Sequence, residues 1–170
     1  MVEMKCDQVP RELGFRMPAE WEPHAATWLT WPRRDGISFP NRFEPIPAYW
    51  LRIAELLSPH EDVHINTFDD EQESEILEHL ARSRQLVHDR VFLHRFPAYE
   101  PWCRDHGPIF LTRHVNGRGE LAVVDWGFNA WGNKYPPYDL DDAVPQHRPG
   151  RGRGGARRTC PSSSGATLVR

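Results

Sequence analysis

Hydrophobic residues in this chain occur in short runs, and their period switches between that of a strand and that of a helix. Residues 24–32, His-Ala-Ala-Thr-Trp-Leu-Thr-Trp-Pro, are β-branched and aromatic and stop at a proline, which predicts a first buried strand. Trp50, Ile53, Ala54 and Leu57 fall on one face of a predicted helix over 48–57, with Pro47 suited to its first turn. Val63, Ile65 and Thr67 alternate with His64 and Asn66, the signature of a second strand. Asp69 or Asp70 caps a helix running through Leu80, with Glu73 placed for a capping box and Ile76, Leu77, Leu80 and Ala81 as its buried stripe. Residues 91–96 read as a third strand. Residues 109–113 and 121–126, joined by a turn over Asn116-Gly117-Arg118-Gly119, read as a hairpin. Strands alternating with helices and closing in a hairpin predict a mixed α/β architecture.

The pattern fails near His147, where a stretch of Arg, Gly, Pro and Ser begins that carries no apolar period. Such a composition builds no core and predicts disorder. The domain reading is therefore residues 1–145 as one folded unit, within the reach of a 170-residue chain, and 146–170 as an Arg/Gly/Ser-rich tail. Charge divides at the same place. All 24 acidic residues lie at or before Asp142, and the 28 residues after it carry six arginines and no acid. Two explanations compete for the tail: a native Arg-Gly segment binding RNA, or an out-of-frame translation of GC-rich DNA. The second is favoured, because 19 arginines stand against two lysines and because residues 138–145 read as the start of a helix that never arrives. Nucleic acid is thus disfavoured as a partner. The N-terminal residues show no secretory signal and no apolar run reaches membrane-spanning length, so the expectation is a cytoplasmic protein without a membrane partner. Cys6, Cys103 and Cys160 are widely spaced and odd in number, which argues against a disulfide framework and a thiolate zinc site.

Candidate chemistry concentrates in Pro101-Trp102-Cys103-Arg104-Asp105-His106-Gly107-Pro108, read as a loop between two strands. A carboxylate at Asp105 can accept paired N–H donors from a flat cation such as a guanidinium, while the Trp102 indole offers its face to the same plane. The structural alternative is a turn in which Arg104 pairs with Asp105 and Trp102 fills a core corner. Cys103 beside Arg104 is a weak nucleophile candidate, since in an extended stretch its neighbours point the opposite way. His60-Glu61-Asp62-Val63-His64 matches the His-Glu-x-x-His zinc pattern, yet His64 falls in the second strand, where the two imidazoles share no helical face. The acidic run at 69–73 is accounted for by capping and by the helix dipole. No phosphate-cradling glycine motif occurs. No metal and no cofactor are expected.

Four segments in order carry a family resemblance: residues 14–24 (Gly-Phe-Arg-Met-Pro-Ala-Glu-Trp-Glu-Pro-His), 28–32 (Trp-Leu-Thr-Trp-Pro), 102–108 (Trp-Cys-Arg-Asp-His-Gly-Pro) and 125–132 (Asp-Trp-Gly-Phe-Asn-Ala-Trp-Gly). Together they closely resemble the agmatine deiminases and the related Porphyromonas-type peptidyl-arginine deiminases, over about residues 15–145. The resemblance implies a pentein-type α/β propeller of ββαβ modules, truncated here to its first half. It implies hydrolysis of a guanidino substrate to a ureido product and ammonia. For agmatine the product is N-carbamoylputrescine, on a route to putrescine. In that chemistry a cysteine thiolate attacks the guanidinium carbon while carboxylates hold the group and a histidine moves protons. Carried onto this sequence, Asp105 becomes a catalytic and substrate-binding guanidinium ligand and Trp102 a wall of the substrate pocket. The family's downstream acid, its Gly-His-x-Asp histidine and its nucleophilic cysteine have no counterpart here, and Cys160 lacks the family's surroundings, which implies a chain inactive by itself. Phe128-Asn129-Ala130-Trp131-Gly132 stands where peptidyl members place arginines, so the small-molecule substrate agmatine is favoured over peptidyl-arginine.

Overall fold

In the computed structural model, residues 9–147 are described in full and 166–169 as backbone alone. Three strands, β1 (Ala26–Thr30), β2 (Asp62–Thr67) and β3 (Val91–Arg95), pair in parallel with β2 in the centre. Ala26 lies opposite Asp62 and Val63 opposite Val91. Parallel neighbours need a crossover, and helices α1 (Ile46–Leu57) and α2 (Asp70–Arg82) supply the two. Their apolar faces close a core with one side of the sheet: Ala54, Ile76 and Leu80 from the helices, Val63 and Ile65 from β2, with Trp31 and Leu86.

The helical stripes are rotated slightly from those the spacing predicts. In α1 the core contacts are Trp50, Leu51, Ala54 and Leu57, while Ile53 is exposed. In α2 Ile76 and Leu80 are buried, whereas Leu77 and Ala81 face outward. The N-cap of α2 is Asp69, whose Oδ1 accepts from Gln72 N at 2.9 Å. Gln72 reaches back, its Oε1 accepting from Phe68 N at 2.8 Å. The closing residue is thus Gln72 rather than Glu73, because the cap fixes the third helical position; Glu73 instead pairs with Arg95 at 2.9 Å.

The opposite face of this sheet is aromatic. Trp28, His64, His94 and Phe96 stack side by side, and His64 Nδ1 meets His94 Nε2 at 2.8 Å. Burial lowers the pKa of both imidazoles, His94 further through the neighbouring His64. His64 therefore belongs to a strand-face stack, not to a zinc helix, and Glu61 pairs instead with His24 at 2.8 Å.

A second sheet joins β4 (Ile109–Val115) and β5 (Arg118–Trp126) antiparallel, with β6 (Ala166–Val169) along β5. The hairpin turns on two residues, Asn116 and Gly117, with φ of 52° and 76°. That is the twist-matched two-residue turn, tighter than the four-residue turn expected, so β5 begins at Arg118 rather than near 121. Leu111, Ala122 and Val124 bury a small second core beneath Phe15. Within the tail expected to lack structure, Ala166–Val169 forms a strand, its Thr-Leu-Val suited to the open edge of β5. Residues 148–165, which hold Cys160 and most of the Arg-Gly stretch, lie outside the described residues, as does Cys6. Two short helical turns, α3 (Cys103–His106) and α4 (Ala130–Asn133), and the one-turn α5 (Asp139–Ala143) stand between the strands, with 3-10 turns at Pro10–Leu13, His88–Arg90 and Val144–Gln146. The mixed α/β architecture predicted from the sequence is present. Among the described residues no helix is long and apolar enough to cross a membrane.

Candidate guanidinium site

The stretch after β3 is not extended. Asp105 N donates to Trp102 O at 2.9 Å and Gly107 N to Cys103 O at 2.8 Å, closing the single turn of α3. Gly107 permits this closure, since a Cβ there would lie 2.3 Å from Cys103 O. The turn sends its side chains in separate directions. Cys103 points inward, its Sγ 2.9 Å from Thr30 Oγ1 on β1. Burial pushes its thiol up to about 11, so it is a neutral anchor between α3 and β1 rather than a nucleophile. The extended geometry first used to discount it is absent, but desolvation leads to the same conclusion.

Arg104 and Asp105 do not pair with each other. Arg104 reaches outward to Glu20 at 2.7 Å. Asp105 is exposed, and its Oδ1 accepts the indole N–H of Trp131 at 3.1 Å. No hydrogen bond engages its Oδ2 among the described residues. Trp102 does not fill a core corner either, being 39% exposed. Its indole N–H donates to Ser38 Oγ at 2.7 Å, and its ring lies tilted against Phe39 at 6.0 Å between centroids. An open carboxylate and an open indole face, three residues apart on one turn, are the components a flat, N–H-rich cation requires.

Trp131 is held by unusual backbone. Ala130, Trp131, Gly132 and Asn133 all have positive φ, from 48° to 83°. A left-handed conformation costs an L-residue about 1–2 kcal/mol, and here Ala130 and Trp131 both adopt it. Asn129 stabilises the turn by accepting Gly132 N–H at 2.9 Å, and Phe128 packs edge-on against Trp131 at 5.4 Å. The strain aims the indole N–H at Asp105, consistent with strained backbone gathering where geometry is demanding.

Behind the exposed residues lies a polar layer that the sequence reading did not identify. Asp141, on α5, is buried, and its Oδ1 accepts Glu100 N–H at 3.0 Å. His106 Nε2 lies 3.1 Å from Glu100 O. Burial lowers the pKa of His106, so the neutral ring donates here, and burial raises Asp141 to about 6. Glu100 is itself buried, its carboxylate accepting Ile37 N–H at 2.9 Å and the Ser38 hydroxyl. Nothing in the sequence marks Glu100 beyond its position two residues before Trp102, because the partners of its carboxylate, Ile37 and Ser38, stand 63 and 62 residues away. Among the described residues no group of three His, Cys, Asp or Glu side chains is placed to hold a metal.

This geometry belongs to a chain whose residues 16–159 match the family model of Porphyromonas-type peptidyl-arginine deiminase. It is 38% identical over 139 residues to agmatine deiminase of Ectopseudomonas mendocina, an alignment covering 79% of this chain and 35% of that protein. It is 36% identical, over the same shares, to agmatine deiminase of Pseudomonas aeruginosa. The chain thus spans about a third of the length of the curated relatives it matches. A crystal structure assigned as an agmatine deiminase superposes with a TM-score of 0.69 at 32% identity, over 82% of this chain and 38% of that one. The substrate-bound C315S agmatine deiminase of C. jejuni superposes at 0.62 over 78% and 35%, and at 24% identity it speaks for the fold alone.

Proposed function

Because the chain belongs to the Porphyromonas-type peptidyl-arginine deiminase family, we propose that it carries the guanidinium-holding part of an agmatine deiminase. The observation that carries this reading is the pairing of an open Asp105 carboxylate, oriented by the Trp131 indole, with the open face of Trp102. Asp105 accepts two N–H groups of the guanidinium and keeps it charged, and Trp102 covers its plane. A charge-assisted contact of this kind contributes about 1.5–3 kcal/mol and a cation–π contact about 0.5–2 kcal/mol.

In the complete reaction a thiolate adds to the guanidinium carbon, ammonia leaves, and water releases the ureido product, N-carbamoylputrescine when agmatine is the substrate. Within this chain Asp105 and Trp102 bind and orient, and Cys103, neutral and tucked against Thr30, does not attack. The two sheets are the opening modules of the family's pentein propeller. The 170-residue polypeptide binds guanidino compounds without turning them over.

Calorimetric titration of the purified chain with agmatine tests this. Agmatine binds, putrescine and an N-acetyl-arginine amide bind more weakly, and Asp105→Asn lowers agmatine affinity about tenfold or more, the worth of one charge-assisted contact. Equal affinity of wild type and Asp105→Asn refutes the site, and ammonia released by the pure chain refutes its inactivity.

A further inference from the structure

Glu100 poses a problem that the guanidinium reading leaves open. It is a buried carboxylate, 7% exposed, and no cationic side chain pairs with it among the described residues. Withdrawing an ionised acid from water costs several kcal/mol unless hydrogen bonds compensate. Here the compensation is specific. Oε1 accepts Ile37 N–H at 2.9 Å and Oε2 accepts the Ser38 hydroxyl, so both oxygens close on one loop. Gly36 leaves room for that approach, as a Cβ at this position would stand 3.3 Å from Oε1. The backbone of Glu100 is pinned as well, its N–H by Asp141 and its C=O by His106.

We propose that Glu100 is a positioning residue for the guanidinium site, acting through Ser38 to set the angle of the Trp102 ring. The inference rests on the reading of Trp102 as the wall against which the substrate lies. The mechanism follows from hydrogen-bond direction. A carboxylate accepts only, so it fixes the Ser38 O–H as a donor and leaves the hydroxyl lone pairs for another donor. The Trp102 indole N–H takes that place at 2.7 Å, and Phe39 from the same loop braces the ring. Ser38 and Phe39 thereby hold one edge and one side of an indole that stays 39% exposed.

Glu100→Gln keeps the shape but presents an amide NH₂ to one of two donors, so one arm of the clasp is lost. Ser38→Ala removes the acceptor, and Ser38→Thr restores a hydroxyl. The experiment uses the 170-residue chain labelled with ¹⁵N, with the Trp102 indole N–H resonance identified by Trp102→Phe, and agmatine as the probe. In Glu100→Gln and Ser38→Ala the indole resonance moves upfield and agmatine affinity falls about five- to tenfold, one hydrogen bond's worth of orientation. Ser38→Thr returns both towards wild type. An unmoved indole signal in either variant overturns the proposal, as does a moved signal with unchanged affinity. If Glu100→Gln loses the dispersion of the whole spectrum, Glu100→Asp, which keeps the charge but draws the carboxylate back from Ser38, takes its place with the same expected shift and loss of affinity. Failure of the wild-type chain to bind agmatine removes the guanidinium reading instead, and the indole signal still decides whether Glu100 and Ser38 set the ring.

Discussion

At the scale of single residues, the four consecutive positions 102–105 meet three different fates, and the differences are set by solvent. Trp102 and Asp105 stay open, Arg104 reaches Glu20, and Cys103 turns in towards Thr30. A thiol held near 11 is only about one part in a thousand thiolate at pH 8, roughly a hundredfold less than an ordinary cysteine. Cys103 should therefore resist iodoacetamide in the folded chain and react freely once the chain is denatured, as peptide-level mass spectrometry will report. Labelling at the same rate in both states would mean that the thiol is open and that its dismissal as a nucleophile is mistaken. The roles proposed for Trp102 and Asp105 could be read in the sequence because they sit together in eight residues. Glu100 and Ser38 could not, since their contact joins segments 62 residues apart and neither stands in a motif of its own.

Among elements, the legible features were those built from local chemistry. The Asp69 cap, the Asn-Gly hairpin and the alternation of β2 follow from residues within a few positions of each other. The one-turn α3 and the left-handed turn at 130–133 were not legible, because Cys-Arg-Asp-His carries no helical signal of its own and because Gly132 and Asn133 accept a positive φ but Ala130 and Trp131 disfavour it; surrounding packing imposes both. Two glycines separate the two kinds of element experimentally. At Gly107 the backbone φ is an ordinary −77°, and the constraint is the 2.3 Å approach of a Cβ to Cys103 O. Gly107→Ala must open α3, costing about 1–3 kcal/mol as overpacking does, and moving Asp105 away from Trp131. Gly117 has φ of 76° and open space around it, so Gly117→Ala costs about 1 kcal/mol through backbone strain alone. Denaturant melts should show both losses, and agmatine titration only the first. Unimpaired binding by Gly107→Ala would show that α3 does not set the site.

On the scale of the whole molecule, two hydrophobic cores of unequal size are accompanied by acids and imidazoles withdrawn from water, and those groups give stability a pH dependence. Asp125, on β5, is raised to about 6 by burial first and by the nearby Asp142 second. Asp141 reaches about the same value, chiefly through burial. An acid whose folded pKa exceeds its ordinary 3.8 holds its proton more tightly when folded. Each therefore withdraws stability as pH rises from about 4 to about 6, and the loss is complete above that window. His64, His94 and His106, all lowered by burial, act in the opposite sense, since each gives up its proton more readily when folded. Stability from the histidines is lost as pH falls below 6.5. The bare stability profile is thus a sum of opposed slopes, and a difference between two chains isolates one group. Asp125 is the informative choice, because it carries no role in the proposed site and asparagine preserves its shape. Asp125→Asn should match wild type near pH 4 and become the more stable chain by up to about 3 kcal/mol above pH 6, two pKa units' worth. Melting temperatures measured from pH 4 to pH 8 should therefore diverge as pH rises. Curves that stay parallel throughout would mean that Asp125 titrates in the folded chain as it does in water, and that the junction between β5 and α5 is open to solvent.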